Sequence, residues 1–307
     1  MASNFLTVFL QVLTLFLFMA FGFAGGKKNI ITQSGSKVVA DIVLLFVTPC
    51  VIVNSFRRAF DLNELKRLLI CFVCAMSIYI VSILLAHLLF RGKEDKIKRV
   101  LRFATVFSNA GYMGLPLQEA VLGADGVFYG SVYVSVFNIL IWTYGVICMS
   151  GDRKLLSAKK LVFNPGILGT VIGFIIFIFS INIDGVIGNV VSGMAVLNTP
   201  LAMIVIGFYL SQSNLLKAFK NKSLYSVAIL RLIFIPLLAL GVLWFIGVRG
   251  TLLVALIIAT SAPTAAATSM FATKFDADVN LSVNIVTFTT ILSIITMPLI
   301  VAFAQML

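Results

Sequence analysis

Two stretches of this sequence combine helix-breaking residues with small polar ones. One reads Phe107-Ser108-Asn109-Ala110-Gly111-Tyr112-Met113-Gly114-Leu115-Pro116-Leu117, and the other Ala259-Thr260-Ser261-Ala262-Pro263-Thr264-Ala265-Ala266-Ala267-Thr268-Ser269. Proline removes a backbone donor and clashes with the carbonyl four residues back, and glycine lowers the cost of unwinding, so each stretch is set to interrupt a helix. An interrupted helix exposes unpaired peptide groups, and the half-helix that starts at the break presents the positive end of its dipole. Such a pair can hold an anion, for example a carboxylate, without a full countercharge. The candidate binding residues are Asn109, Gly111, Tyr112, Gly114 and Pro116 in the first stretch and Ser261, Pro263 and Thr264 in the second. The alternative is a pair of kinks that serve packing alone, with Ser and Thr recapturing freed carbonyls.

Helices must position both stretches, because the solvent is lipid. Of 307 residues, 61% are hydrophobic and 11% charged, and the mean hydropathy is +1.11, which leaves too few polar side chains to coat a soluble globule. Apolar windows of the roughly 20 residues a crossing needs lie at 4–25, 34–56, 67–90, 102–123, 126–150, 165–183, 186–211, 223–247, 250–272 and 279–305. Ten helical crossings are therefore expected, with the breaks in the fourth and ninth, and the alternating pattern of an outer-membrane barrel is absent. The first window has no basic stretch ahead of it and is too long for a secretion signal, so it reads as a retained helix.

A net charge of +12 invites a nucleic-acid partner, but the basic residues form no single stripe or tail. They gather in alternate loops: Lys27, Lys28 and Lys37, then Arg91, Lys93, Lys96, Lys98, Arg99 and Arg102, then Arg153, Lys154, Lys159 and Lys160, then Lys217, Lys220 and Lys222, and last Lys274. The intervening loops hold only Arg57, Arg58, Lys66, Arg67 and Arg249. By the positive-inside rule the odd loops are cytoplasmic and both termini extracytoplasmic, the basic second loop being the exception.

The chain looks duplicated. Thr48-Pro49 in the second window resembles Thr199-Pro200 in the seventh, 151 residues on, and Pro116 and Pro263 stand 147 apart. Five helices copied once would enter from the opposite side the second time, giving an inverted repeat of residues 1–150 and 165–307 around a cytoplasmic linker at 151–164. Chance matches among prolines and glycines, both common in membrane helices, are the competing explanation.

Ionisable groups within the windows are few, and each is a functional candidate because a charge at mid-membrane costs roughly 2.5–3.5 kcal/mol. Glu119, just past the first break, and Asp41 are the candidates for proton coupling, with a solvated vestibule role as the alternative for Glu119. Asp41, His87 and Arg231 fall near expected cytoplasmic ends, where they could snorkel to the interface. Among neutral polar residues, Asn54 and Asn198 are expected to hydrogen-bond neighbouring helices. Asn138 and Asn284 follow the two breaks at equivalent places and join the binding candidates. Cys71 and Cys74 form a C-x-x-C inside an apolar window with no second ligand pair, so packing rather than metal chemistry is expected. No metal cluster or activated nucleophile is evident, so neither an enzyme nor a cofactor is expected.

Ser108 through Leu117 resembles the fourth-helix motif of the auxin efflux carrier family, which includes plant PIN carriers and bacterial malonate and malate carriers. Ser261-Ala262-Pro263-Thr264 and the closing Thr289-Thr290-Ile291-Leu292-Ser293-Ile294-Ile295-Thr296-Met297-Pro298-Leu299 are similar to that family's ninth-helix break and tenth helix. The resemblance covers essentially the whole chain. It implies an all-α membrane protein of ten helices in two inverted five-helix repeats with broken, crossing helices four and nine. It also implies a dimerising scaffold of helices one, two, six and seven, and a transport domain of the other six that moves as an elevator. Asn109, Pro116 and Pro263 would line the substrate site. Phe107-Ser108-Asn109 stands where plant members have Asn-Pro-Asn, so auxin is not implied, and a small dicarboxylate or related acid is the expected partner beside lipid and a second copy of the chain. A sodium-coupled carrier like the bile acid symporters and a non-transporting membrane ligand sensor are the competing readings.

Overall fold

A computed structural model describes residues 2–157, 159, 162–212 and 222–307. Lys160, Lys217 and Lys220 of the basic loops lie outside the described residues. The architecture is all helical, and seven helical stretches among the described residues are long and apolar enough to cross a membrane. In chain order the helices are α1 (Ala2–Lys27), α2 (Gln33–Ser55), α3 (Leu62–Leu89), α4 (Asp95–Val106), α5 (110–122), α6 (124–150), α7 (Pro165–Ile178), α8 (Val186–Ser211), α9 (Lys222–Phe245), α10 (Gly250–Ser261), α11 (Ala267–Lys274) and α12 (Val279–Ala304).

α5 and α6 belong to one helical stretch of 41 residues, Ala110–Ser150, twice what a crossing requires. Its path bends back at Gly123, whose φ of 64° and ψ of −151° belong to glycine. In a straight helix residues 118 and 130 would lie ~18 Å apart. Instead a Cβ on Gly130 would sit 1.8 Å from Gln118 Oε1, so the chain doubles back into a tight helical hairpin.

α4 and α10 have 12 residues each, a length of ~18 Å that cannot cross a hydrocarbon core of ~30 Å. Each is followed by a further helix beyond its break: α4 by α5, and α10 by α11. α10 is apolar on every side, as a helix enclosed by others must be. From Val254 to Ser261 each side chain is 5% exposed or less.

Proline shapes the other long helices. A single π-turn precedes Pro49, Pro116 and Pro236, covering Val43–Val47, Ala110–Gly114 and Leu230–Phe234. The ring crowds the carbonyl four residues back and offers it no donor, and the backbone widens by one residue to pair around it: Thr48 N bonds Val43 O, Leu115 N bonds Ala110 O and Ile235 N bonds Leu230 O.

Arg57 pairs with Asp184 and Arg58 with Asp125, both at 2.8 Å, so two of the basic residues that break the charge pattern are held by the loop before α8 and the first turn of α6. Asn54 serves Arg57 within its own turn, at 3.0 Å, rather than an adjacent helix. Cys71 and Cys74 are buried thiols, Cys71 donating to Tyr129 O, in keeping with packing.

α1 and α8 lie backbone against backbone. A Cβ at Gly22 would meet Ile204 O at 2.0 Å, and one at Gly207 would meet Met19 O at 1.9 Å. Close approach of this kind replaces the missing hydrophobic drive between helices in lipid with van der Waals contact. Gly207→Val should therefore lower stability by about 2 kcal/mol or more, read as a fall in the melting temperature of purified protein in detergent. Gly193→Ala, where a Cβ would meet nothing within 4 Å, should leave it unchanged, and equal melting of both variants would refute the close-packed crossing.

Candidate functional site

The two interruptions lie against each other. Ser108 and Thr264 form an antiparallel bridge, in which Asn109 N donates to Pro263 O at 2.7 Å and Ala265 N to Phe107 O at 2.9 Å. Four half-helices therefore end at one place: α4 and α10 by their C-termini, α5 and α11 by their N-termini. Thr264 ties the crossing to both sides, its Oγ1 donating to Ala104 O at 3.0 Å and its N donating to Thr289 Oγ1 at 3.2 Å.

The carbonyl ends are sealed by Arg231, whose side chain is 0% exposed. Nη1 donates to Thr105 O at 3.2 Å and Val106 O at 3.4 Å on α4, Nε to Ala262 O at 3.4 Å, and Nη2 to Thr260 O on α10. Each helix C-terminus carries about half a negative charge, so the two together match one guanidinium. The hydroxyl-bearing side chains of Tyr79, Tyr133 and Ser108 are buried at the same crossing, with the tyrosine rings 5.2 Å apart. Arg231 thus does not snorkel as its nearness to a span end suggested. It lies nine residues, or ~14 Å, beyond Lys222, the first described residue of α9, and its acceptors are inside the protein.

The amide ends behave oppositely. α5 begins after Asn109 and α11 after Ala266; in α11 the amides of Thr268 and Ser269 donate to Ala265 O and Ala266 O at 2.9 and 3.2 Å, so this helix offers chiefly its dipole end, while the first turn of α5 offers amides as well. Both starts open into a cavity of ≈ 240 Å³, below the roughly 300–1,000 Å³ typical of drug-sized ligands. Its walls include Asn109, Gly111 and Tyr112 of the first break, Ala265, Ala267, Met270 and Phe271 of the second, and Phe137, Asn138, Ile141 and Trp142 of α6. Leu44, Leu45 and Thr48 of α2 and Asn164, Pro165 and Gly166 at the start of α7 complete it. α7 brings a third helix N-terminus, capped by Asn164 Oδ1 accepting from Ile167 N at 3.1 Å. A Cβ at Gly111 would meet nothing within 4 Å, so this glycine leaves room on the wall. Tyr112 Oη donates to Ala40 O at 3.4 Å, linking the break to α2.

Of the sequence candidates, Asn109, Gly111, Tyr112 and Asn138 share this cavity. Gly114, Pro116, Ser261, Pro263 and Thr264 are buried in the crossing behind it and shape the backbone. Asn284 is half-buried on α12 and is not a wall of the cavity, and Glu119 and Asp41 are exposed outside it. Asn198, expected to bond a neighbouring helix, is 1% exposed, and its side-chain amide has no hydrogen-bond partner among the described residues. Sequence reasoning did not single out Trp142, Asn164 or the crossing role of Arg231. The signal for Arg231 was an arginine, with its planar five-donor fork, in the middle of an apolar run.

Replacing Arg231 by Met leaves buried carbonyls on two helices unpaired, each worth about 1–3 kcal/mol. Arg231→Met should cost at least about 2 kcal/mol of stability in thermal melting, with Arg231→Lys, which keeps the charge but not the fork, in between. Full stability of the methionine variant would show that the crossing does not depend on this side chain.

The family described as membrane transport protein matches residues 7–160 and 153–301. An uncharacterized transporter of Methanothermobacter thermautotrophicus is 26% identical over 294 residues, covering 94% of this chain and 95% of its own length. An uncharacterized transporter of Methanocaldococcus jannaschii is 22% identical over 303 residues, covering 94% and 96%. With both interruptions in place and the match spanning nearly its full length, the chain belongs to the membrane transport protein family, that of the auxin efflux carriers.

Proposed function

We propose that the protein is a secondary transporter of a small organic anion, a carboxylate, and that the cavity at the crossing is its substrate site. The observation that carries this reading is the convergence of the α5 and α11 N-termini on one small cavity, while the opposing carbonyl ends are closed by Arg231. An anion there would receive the first-turn amides of α5 and two dipole ends, with the Asn109 and Asn138 amides and the Thr48 hydroxyl as neutral partners. Glu119 and Asp41, outside the cavity, are the groups through which proton coupling would act.

The reading includes ten crossings in two inverted repeats, with the hairpin at Gly123 separating the fourth from the fifth and α10 and α11 together making the ninth. In this arrangement α1, α2, α7 and α8 form a dimerising scaffold, and the rest move as an elevator in the cell membrane with both termini outside. The cavity then lies at the scaffold seam, on the side of the 151–164 linker, as in an inward-open state. A bile-acid-symporter-like sodium coupling is disfavoured by Arg231, whose donors take the crossing carbonyls that a sodium ion would need. A ligand sensor would bind without flux.

Uptake into proteoliposomes of labelled malonate, malate and related acids tests the proposal. Flux should be substrate-saturable and unchanged when potassium replaces sodium. Asn109→Ala should reduce it about tenfold, the loss of roughly one charge-assisted contact. Binding without flux across such a panel would favour the sensor, and neither binding nor flux would end the carboxylate assignment.

A further inference from the structure

One end of the cavity is shut by a stack of side chains that the substrate reading does not use. α6 ends at the 151–164 linker and α7 begins just after it, so the start of α6 and the end of α7 lie away from the linker. From the cavity walls Val134 and Gly166 these two helices run toward that end, together with α2 from Thr48, and the three close on one another. Ser135 of α6 and Thr170 of α7 share a hydrogen bond at 2.6 Å, and one turn on Ser131 approaches Ser55 of α2 to 3.3 Å. One turn further, the Phe128 ring meets those of Phe56 and Phe177 edge to face, with centroids 4.9 and 5.5 Å away. The Arg58 guanidinium lies 4.0 Å over the Phe128 ring and pairs with Asp125 on the first turn of α6.

The stack joins two bodies. Phe56, at the end of α2, and Phe177 of α7 belong to helices that interlock: a Cβ at Gly169 would meet Pro49 Cα at 2.9 Å, and one at Gly173 the Phe56 ring at 2.8 Å. Phe128 stands instead on α6, which packs on the crossing through Phe137, with its ring centroid 5.6 Å from that of Phe107. Ser135, Ser131 and Phe128 recur at helical spacing, so a single face of α6 supplies each layer. All three rings of the aromatic layer are 0% exposed, and such a layer offers neither water nor an anion a hydrogen-bond partner.

We propose that Phe128 is a plug. Seated between Phe56 and Phe177, it shuts the cavity off from the face opposite the linker, and withdrawn with α6 it opens that face. Arg58 is the clasp, reaching from the end of α2 over the ring and to the first turn of α6. The withdrawal rests on the transport reading, whereas the closure is a matter of packing alone.

The test uses Gly111→Cys as a reporter, because a side chain there enters the open wall of the cavity, in a chain with Cys50 and Cys148 replaced by Ala. A membrane-impermeant maleimide is applied to intact cells and to inverted vesicles. The reporter should react from one face of the membrane only. Adding Phe128→Ala should raise its labelling from the sealed face about tenfold or more. Equal labelling from both faces with Phe128 in place, or a sealed face that stays unreactive in Phe128→Ala, would overturn the plug. A second measurement does not depend on that variant. Ser55→Cys with Ser131→Cys stands within reach of a disulfide, and oxidation should stop malonate flux in proteoliposomes, reversibly on reduction, while the reporter still reacts from the open face. Undiminished flux in the cross-linked protein would show that the two surfaces never part and would overturn the withdrawal. Absence of flux for the whole acid panel before cross-linking would count against the transport reading, and with it the withdrawal, while the labelling result still decides the closure.

Discussion

In lipid, a peptide group without a partner costs several kcal/mol, and this protein breaks two helices at one point inside its apolar interior. The structure answers with an asymmetry. The carbonyl ends of α4 and α10 are closed by the two bonds of the Ser108–Thr264 bridge region and by Arg231, while the amide ends of α5 and α11 are left facing a cavity. Which helix ends reach the cavity follows from which ends are sealed. No cationic side chain is among its walls, so the field there comes from oriented backbone. A fixed dipole end has no side-chain entropy to lose when an anion arrives, and a solute bound this way can leave again.

That arrangement is only as accurate as the elements holding it. α10 is enclosed along its length, and Gln118 of α5 reaches across to Ala255 O at 2.7 Å, fastening the two broken helices above the crossing as the bridge does within it. Behind the break, Phe107 packs on Phe103, Tyr79 and Phe137, with ring centroids 4.5, 6.1 and 5.6 Å away. α4, α5, α6 and α10 thus meet in one dense body. The half-helix ends are aimed by packing, and the polar residues near them refine an orientation that is already set.

Much of this was legible in the residues themselves. Pro116, Pro263 and the glycines near the first of them mark the interruptions because proline and glycine act locally, through a missing donor and a permitted backbone angle. The helix starts at Gln33, Pro165, Val186 and Gly250 fall within a residue of where the apolar windows begin, since burial in lipid acts on composition. What composition does not encode is which distant carbonyls come within reach. Arg231 read as an interfacial charge because its partners, Thr105 and Thr260, are 126 and 29 residues away, and only the tertiary crossing turns them into its ligands. For the same reason Asn138 and Asn284, alike in the sequence, have different surroundings: one lies on the cavity face of α6, the other outside the cavity on α12. Thr48 and Asn164 join the site because α2 and α7 pass in front of the crossing, a matter of packing between helices far apart in the chain.

That last feature bears on how a solute could be released on either side. The cavity is not enclosed by the dense body alone: its front wall is α2 and the start of α7, so displacement of the one group of helices against the other would change its access without disturbing the crossing. The polar contacts across this seam are few and mostly between neutral groups. Tyr112 Oη reaches Ala40 O at 3.4 Å, Ser135 and Thr170 share a hydrogen bond at 2.6 Å, and Ser55 and Ser131 approach to 3.3 Å. The one ion pair there among the described residues, Arg58 with Asp125, is largely exposed on its acid side and contributes about 0–1 kcal/mol. Contacts of this size can be exchanged for others at little net cost. The bonds that define the crossing are buried, and those of Arg231 are charge-assisted, so relative motion would be taken up at the seam and leave the crossing intact.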